Sequence, residues 1–229
     1  PGSCTIDLWP EVSEYEKLYK TEFVFEDGSP AYTFSSYDAS TVDTHFLWME
    51  EYGIDGVFMQ RFVAEIRNKS GKKHFSKVLD SAMESANRHS RAICIMYDLS
   101  GMNPGDENVL IADIKELAER HSLFDHDSNP SYLYHNGKPL VTVWGVGFDD
   151  GRKYGYKEAD KILTALESMG FSIMLGVPTQ WRTLDGDTID DPVLHDLIRR
   201  CDIIMPWFVG RYNENTYTLY QPRIDADIK

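Results

Sequence analysis

The chain has 229 residues, 42% hydrophobic and 26% charged, a balance that suits a folded globular protein and excludes wholesale disorder. A formal net charge of -14, with 23 Lys and Arg scattered among 37 acids, excludes a nucleic-acid partner, which needs a clustered basic surface. No apolar run approaches the roughly 18 to 20 residues that cross a bilayer, so no membrane span is expected.

Residues 1–39 read as an irregular lead-in. The opening PGSCTIDLWP has neither the basic region nor the apolar core of a signal peptide, and Cys4, after Gly-Ser, lacks the apolar stretch that lipid attachment requires. YTFSSYD is either a strand or an extended approach to the first helix. That helix is expected to be capped by Ser40, with Val42, Phe46 and Met49 as its apolar stripe and Gly53 as its stop. The strand GVFMQRF follows. Next comes the most regular helix, where Phe75, Val78, Leu79, Ala82, Met83 and Ala86 keep the i, i+3, i+4 spacing. It leads into AICIMYD and then a helix from about 107 to 121 carrying Leu110, Ile114 and Leu117. An irregular stretch ends in a turn at Asn136-Gly137 before LVTVWG. Two further helices, with Ile162, Leu163 and Leu166 and with Leu194, Leu197 and Ile198, feed SIMLGVP and DIIMPWF. The last segment, from about 214, is amphipathic through Tyr217, Tyr220 and Ile224.

Strands alternating with helices argue for an α/β fold with a parallel sheet in a single domain. Five strands fall short of the eight of a closed barrel, although an open doubly wound sheet holds five. Each run stops on an aromatic ring beside a polar or charged group. In a barrel those ends share one rim, which would gather Gln60, Arg61, Tyr97, Asp98, Trp144, Trp181, Arg182, Trp207 and Arg211. Rings mixed with hydrogen-bonding groups suit a sugar, with its apolar C–H face and fringe of hydroxyls. Every candidate also has a plain structural reading. Asp98 accepts from sugar hydroxyls or caps a turn, Arg61 forks onto a ligand or forms an internal salt bridge, and Trp144, Trp181 and Trp207 stack on a ligand or pack a core. Arg182 and Arg211 border a stacking face or simply face solvent. Trp9 and Trp48 read as packing residues.

Other chemistries find little support. Cys94 and Cys201 read as small buried hydrophobes. Asp125, Asp127 and Asn129 have calcium-loop spacing, but Pro130 stands where glycine is needed. The seven histidines form no paired ligand spacing, and Gly145-Val146-Gly147 lacks the third glycine of a dinucleotide site, so neither metal nor cofactor is expected.

The segments EYGIDGVFMQRF, RAICIMYDLSG, YLYHNGKPLVTVWGVGFDDGRKYG, LGVPTQWR and CDIIMPWFVGRY resemble the glycoside hydrolase family 71/99-like proteins of bacteria, relatives of endo-α-mannanases and endo-α-mannosidases. That resemblance implies a (β/α)8 TIM-barrel type fold, incomplete in this chain, and an internal fragment without the first and last barrel strands. It implies an extracytoplasmic glycoside hydrolase-like protein acting on or binding an α-linked glycan such as α-mannan, and it brings Tyr37 and Asp38 toward the cleft. The family's catalytic Glu-x-x-Glu pair, beyond the last strand, has no counterpart here, since Glu11 and Glu14 lie far from any strand end. The catalytic residues are therefore unknown, and missing barrel segments or a partner chain are expected to close the fold. A catalytically silent carbohydrate-binding barrel, or an open α/β domain for an unrelated small ligand, remain the alternatives.

Overall fold

The computed structural model describes residues 8–228, so Cys4 lies outside the described residues. The expected lead-in contains an antiparallel hairpin, β1 (Tyr19–Val24) and β2 (Pro30–Thr33). Its residues are mostly exposed on both faces, which erased the alternation that would have marked strands in the sequence. A lone hairpin is marginal in water. Here Tyr15, buried just ahead of it, stacks on Phe34 at 4.5 Å, and its hydroxyl lies 2.7 Å from His45 Nε2.

His45 belongs to α1 (Ala39–Glu51), which starts one residue before the expected cap. Ser40 Oγ is buried without a partner among the described residues, and the N-cap Asp38 accepts from the Tyr19 hydroxyl at 2.7 Å instead of capping its own helix. The helix stops before Gly53, where φ is +70°. The remaining chain alternates as read, through β3 (Gly56–Phe62), the short α2 (Val63–Ile66), α3 (Lys69–His89), β4 (Ala92–Asp98) and α4 (Glu107–Arg120). A two-residue strand β5 (Tyr134–His135) turns through Asn136 and Gly137, both at positive φ as a tight primed turn requires, into β6 (Lys138–Trp144). Then follow α5 (Tyr156–Met169), β7 (Ser172–Val177), α6 (Val193–Ile198), β8 (Ile203–Pro206) and α7 (Tyr217–Asp227). The amphipathic reading of the last segment does not carry over: α7 contains Pro222 and buries no residue.

Strands β3, β4, β6, β7 and β8 pair in parallel and in that order. Each crossover moves one strand along without reversal, so right-handed connections put every helix on the same face. This is how successive units of a (β/α)8 barrel are arranged; a doubly wound sheet reverses its order at a switch point. The α/β class and the partial-barrel architecture therefore follow from topology.

Side chains alternate across the sheet, and register fixes which residues share a face. One row runs Arg61, Tyr97, Val143, Leu175, Ile204 and meets the helices. Together with Leu79, Met83, Leu110, Ile114, Ile162 and Leu166 of α3, α4 and α5, this face makes the hydrophobic core. Each fully buried Leu or Met side chain there contributes roughly 1.5 to 3 kcal/mol. The two rows on the other face run Gln60, Met96, Thr142, Met174, Ile203 and Phe62, Asp98, Trp144, Gly176, Met205. No helix of the described residues is long and apolar enough to cross a membrane.

Candidate functional site

The face away from the helices carries the candidate site at the C-terminal strand ends. Asp98 is 3% exposed, and its two oxygens are held separately. Oδ1 accepts the Ser100 amide at 2.7 Å, turning the chain out of β4, while Oδ2 accepts Gln60 Nε2 at 2.5 Å. Gln60 is itself exposed at the edge of the sheet. Asp98 therefore caps the turn, as one sequence reading had it, and also carries a polar contact toward the open face.

Trp144 stands beside Asp98 in register, and its ring crosses β7 to meet Trp207, with centroids 5.2 Å apart and planes at 67°. Gly176 makes that crossing possible. A Cβ on Gly176 would lie 2.4 Å from Trp144 Cδ1, inside any tolerable contact. Phe148 adds a third ring, 5.0 Å from Trp144. The result is an aromatic wall beside a buried carboxylate, on the face of the sheet opposite the core packed by α3, α4 and α5.

Arg152, which the sequence reading passed over, lies against this wall. Its guanidinium carbon sits 5.1 Å from the Trp144 centroid and 4.6 Å from that of Phe148. Burial works against its charge, but hydrogen bonds to Asp150 and Tyr154 outweigh that and raise its pKa above the ordinary arginine value. Burial pushes the Tyr154 hydroxyl up to about 12, against the opposing pull of Arg152. A cleft of about 310 Å³, lined by Ser100, Met102, Asp150, Arg152 and Tyr154, opens beside the wall. The signal was in the segment GVGFDDGRKYG, where glycines punctuate an aromatic and an arginine, but no local periodicity says that such a loop folds back.

The other candidates sit elsewhere. Arg61 and Tyr97 end up on the helix face, because they occupy the opposite parity from Gln60 and Asp98. Asp113 of α4 takes Arg61 Nε at 2.6 Å and Nη2 at 2.8 Å, and it accepts from the Tyr97 hydroxyl at 2.7 Å. The internal salt-bridge reading of Arg61 is the one realised. Burial drives the Tyr97 hydroxyl well above its usual range, with the Asp113 charge adding to it.

Trp181 packs against the core, its Nε1 buried without a partner among the described residues and its carbonyl accepting from His195 Nε2 at 2.8 Å. Arg182 pairs with Asp227 at 2.6 Å and ties down α7. Arg211 pairs with Asp187 at 2.9 Å. Tyr37 stacks on His74 of α3 at 5.5 Å, and Asp38 is engaged by Tyr19. A largely apolar cavity of about 160 Å³, lined by Met59, Gln60, Arg61, Phe75 and Val78, lies at the β3 edge, and none of the wall's rings lines it. Asp125 holds the Ser128 hydroxyl at 2.6 Å within a turn, and the described residues contain no cluster of potential metal ligands.

No family model and no curated protein matches the chain. Among solved structures it is similar to the GH99 endo-alpha-mannosidase from Bacteriodes thetaiotaomicron in complex with BIS-TRIS-Propane, at 14% identity and a TM-score of 0.49. That alignment covers 90% of this chain and 57% of the other, so the chain spans little more than half of that neighbour's length.

Proposed function

We propose that the open face of the sheet binds a glycan at its C-terminal rim and that the protein is glycoside hydrolase-like, acting on or holding an α-linked oligo- or polysaccharide such as α-mannan. The observation that carries this is the Trp144–Trp207 edge-to-face pair beside the Gln60–Asp98 contact. A pyranose presents an apolar C–H face to such rings and hydroxyls to such a carboxamide and carboxylate. Asp98 already accepts two hydrogen bonds, which suits a binding residue with lone pairs to spare and not a general acid.

The resemblance of several segments to family 71/99-like proteins, relatives of mannan-active enzymes, is the ground for proposing hydrolysis with retention of configuration, by an acid pair that none of the rim residues provides. It likewise supports a location outside the cytoplasm, in the periplasm, at the cell surface or secreted. Among the described residues, β3 and β8 each have one edge unpaired in the parallel sheet. We propose that further strands from the same protein or a partner chain pair with those edges.

A glycan array probed with the protein, followed by calorimetry on any hit, tests the reading. Binding that is lost in Trp207→Ala is expected. Absence of binding to every glycan would overturn both the enzyme and the silent-binder versions, and release of reducing ends from a bound glycan separates the two.

A further inference from the structure

We propose that Arg152 is a positioning residue for the aromatic wall, holding the Trp144 ring in the orientation at which it meets Trp207. Its consequence for ligand affinity rests on the glycan reading above; its geometry does not.

The Trp144 ring has no polar anchor. Its Nε1 is buried and has no hydrogen-bond partner among the described residues, so the tilt of the indole is set by packing. The ring is met by Trp207, by the backbone at Gly176, by Phe148 and by the Arg152 guanidinium. The guanidinium is in turn fixed from several directions. Nε donates to both oxygens of Asp150, at 2.9 and 3.0 Å. Nη1 donates to the Tyr154 hydroxyl at 2.6 Å and the Gly145 carbonyl at 3.3 Å, and Tyr154 donates to that same carbonyl at 2.6 Å.

Gly145 belongs to the same device. It sits at φ +114°, and a Cβ there would lie 2.6 Å from Arg152 Nη1 and 2.9 Å from the Tyr154 hydroxyl. The loop after β6 is thereby folded back so that a planar cation lies against two rings. Lysine cannot substitute, because a point ammonium lacks both the flat face that stacks and the fork that reaches Asp150 and Gly145 together. The charge on Asp150 bears on this cation, those on Asp150 and Asp98 bear on the Tyr154 hydroxyl, and Lys153 lines the same cleft.

Two indoles in edge-to-face contact couple their transitions and give an exciton couplet in far-ultraviolet circular dichroism. Trp207→Phe is expected to remove that couplet, which assigns it to the pair. Arg152→Lys and Arg152→Met are expected to lower its amplitude about twofold or more while unfolding stays cooperative, and to weaken glycan binding about threefold to thirtyfold. A couplet at full amplitude in both Arg152 variants overturns the proposal. So does a parent protein with no couplet for Trp207→Phe to remove, or loss of cooperative unfolding in both variants, which would make Arg152 a core residue. If the couplet falls but the parent binds no glycan, the positioning role stands and the glycan reading fails.

Discussion

Removing the Asp113 carboxylate should be among the most damaging single changes in this chain. In Asp113→Ala, the Arg61 guanidinium keeps its charge behind a side chain only 3% exposed and loses two charge-assisted hydrogen bonds, at 2.6 and 2.8 Å. Tyr97 loses its acceptor, and Lys72, 3.6 Å away, loses a second counter-charge. Among the described residues, Ser76 Oγ, 3.1 Å from Nη2, remains as Arg61's only side-chain partner, and Nη1 has none to begin with. Breaking a buried pair by deleting one partner costs about 3 to 5 kcal/mol, against a total stability of about 5 to 15 kcal/mol. With a urea slope of about 2 kcal/mol per molar, the midpoint should fall by about 1.5 to 2.5 M. The double variant Arg61→Met/Asp113→Leu should lose less than Asp113→Ala alone, since it leaves no orphan charge. Urea unfolding followed by tryptophan fluorescence measures both. A cost for Asp113→Ala below about 1 kcal/mol, or a double variant worse than the single, would refute the account of this network.

Further outcomes follow from other parts of the molecule. Gly176→Val should destabilise the fold by about 1 to 3 kcal/mol through overpacking against Trp144 and should abolish ligand binding, which calorimetry and urea unfolding read separately. Trp207→Ala should weaken glycan binding by about 1 to 3 kcal/mol with unfolding still cooperative; loss of folding would make that ring a core residue. Burial lowers the pKa of His45 and of His121, so the unfolded chain binds protons that the folded one resists. Stability should therefore be flat above the free histidine value of about 6.5 and decline as pH falls below it, and His45→Gln should flatten part of that slope. Arg182→Ala should speed hydrogen exchange in α7, which buries nothing of its own, without moving the global melt.

The order of elements was legible because helical and strand periods differ and the helix stripes are long. Leu79, Ala82, Met83 and Ala86 are buried as their spacing requires. The hairpin over residues 19–33 was not legible, since strands exposed on both faces carry no alternation. At the rim, the reading found where the strands end but not which way each end points. Neighbours in sequence, Gln60 with Arg61 and Tyr97 with Asp98, go to opposite sides of the sheet, and register is fixed only by pairing between distant segments. Arg152 escaped for a related reason: a side chain that returns from a loop to a strand end obeys no period.

The same parity gives the buried ion pair a second role. Gln60 and Asp98 are bonded through the backbone to Arg61 and Tyr97, the two side chains that Asp113 gathers beneath the sheet. The open-face contact thus hangs from the ends of a clamp that is closed before any ligand arrives. Preorganisation of this kind spares the entropy of fixing the two groups, so a ligand bound there as proposed would lose little affinity to reorganisation of the protein.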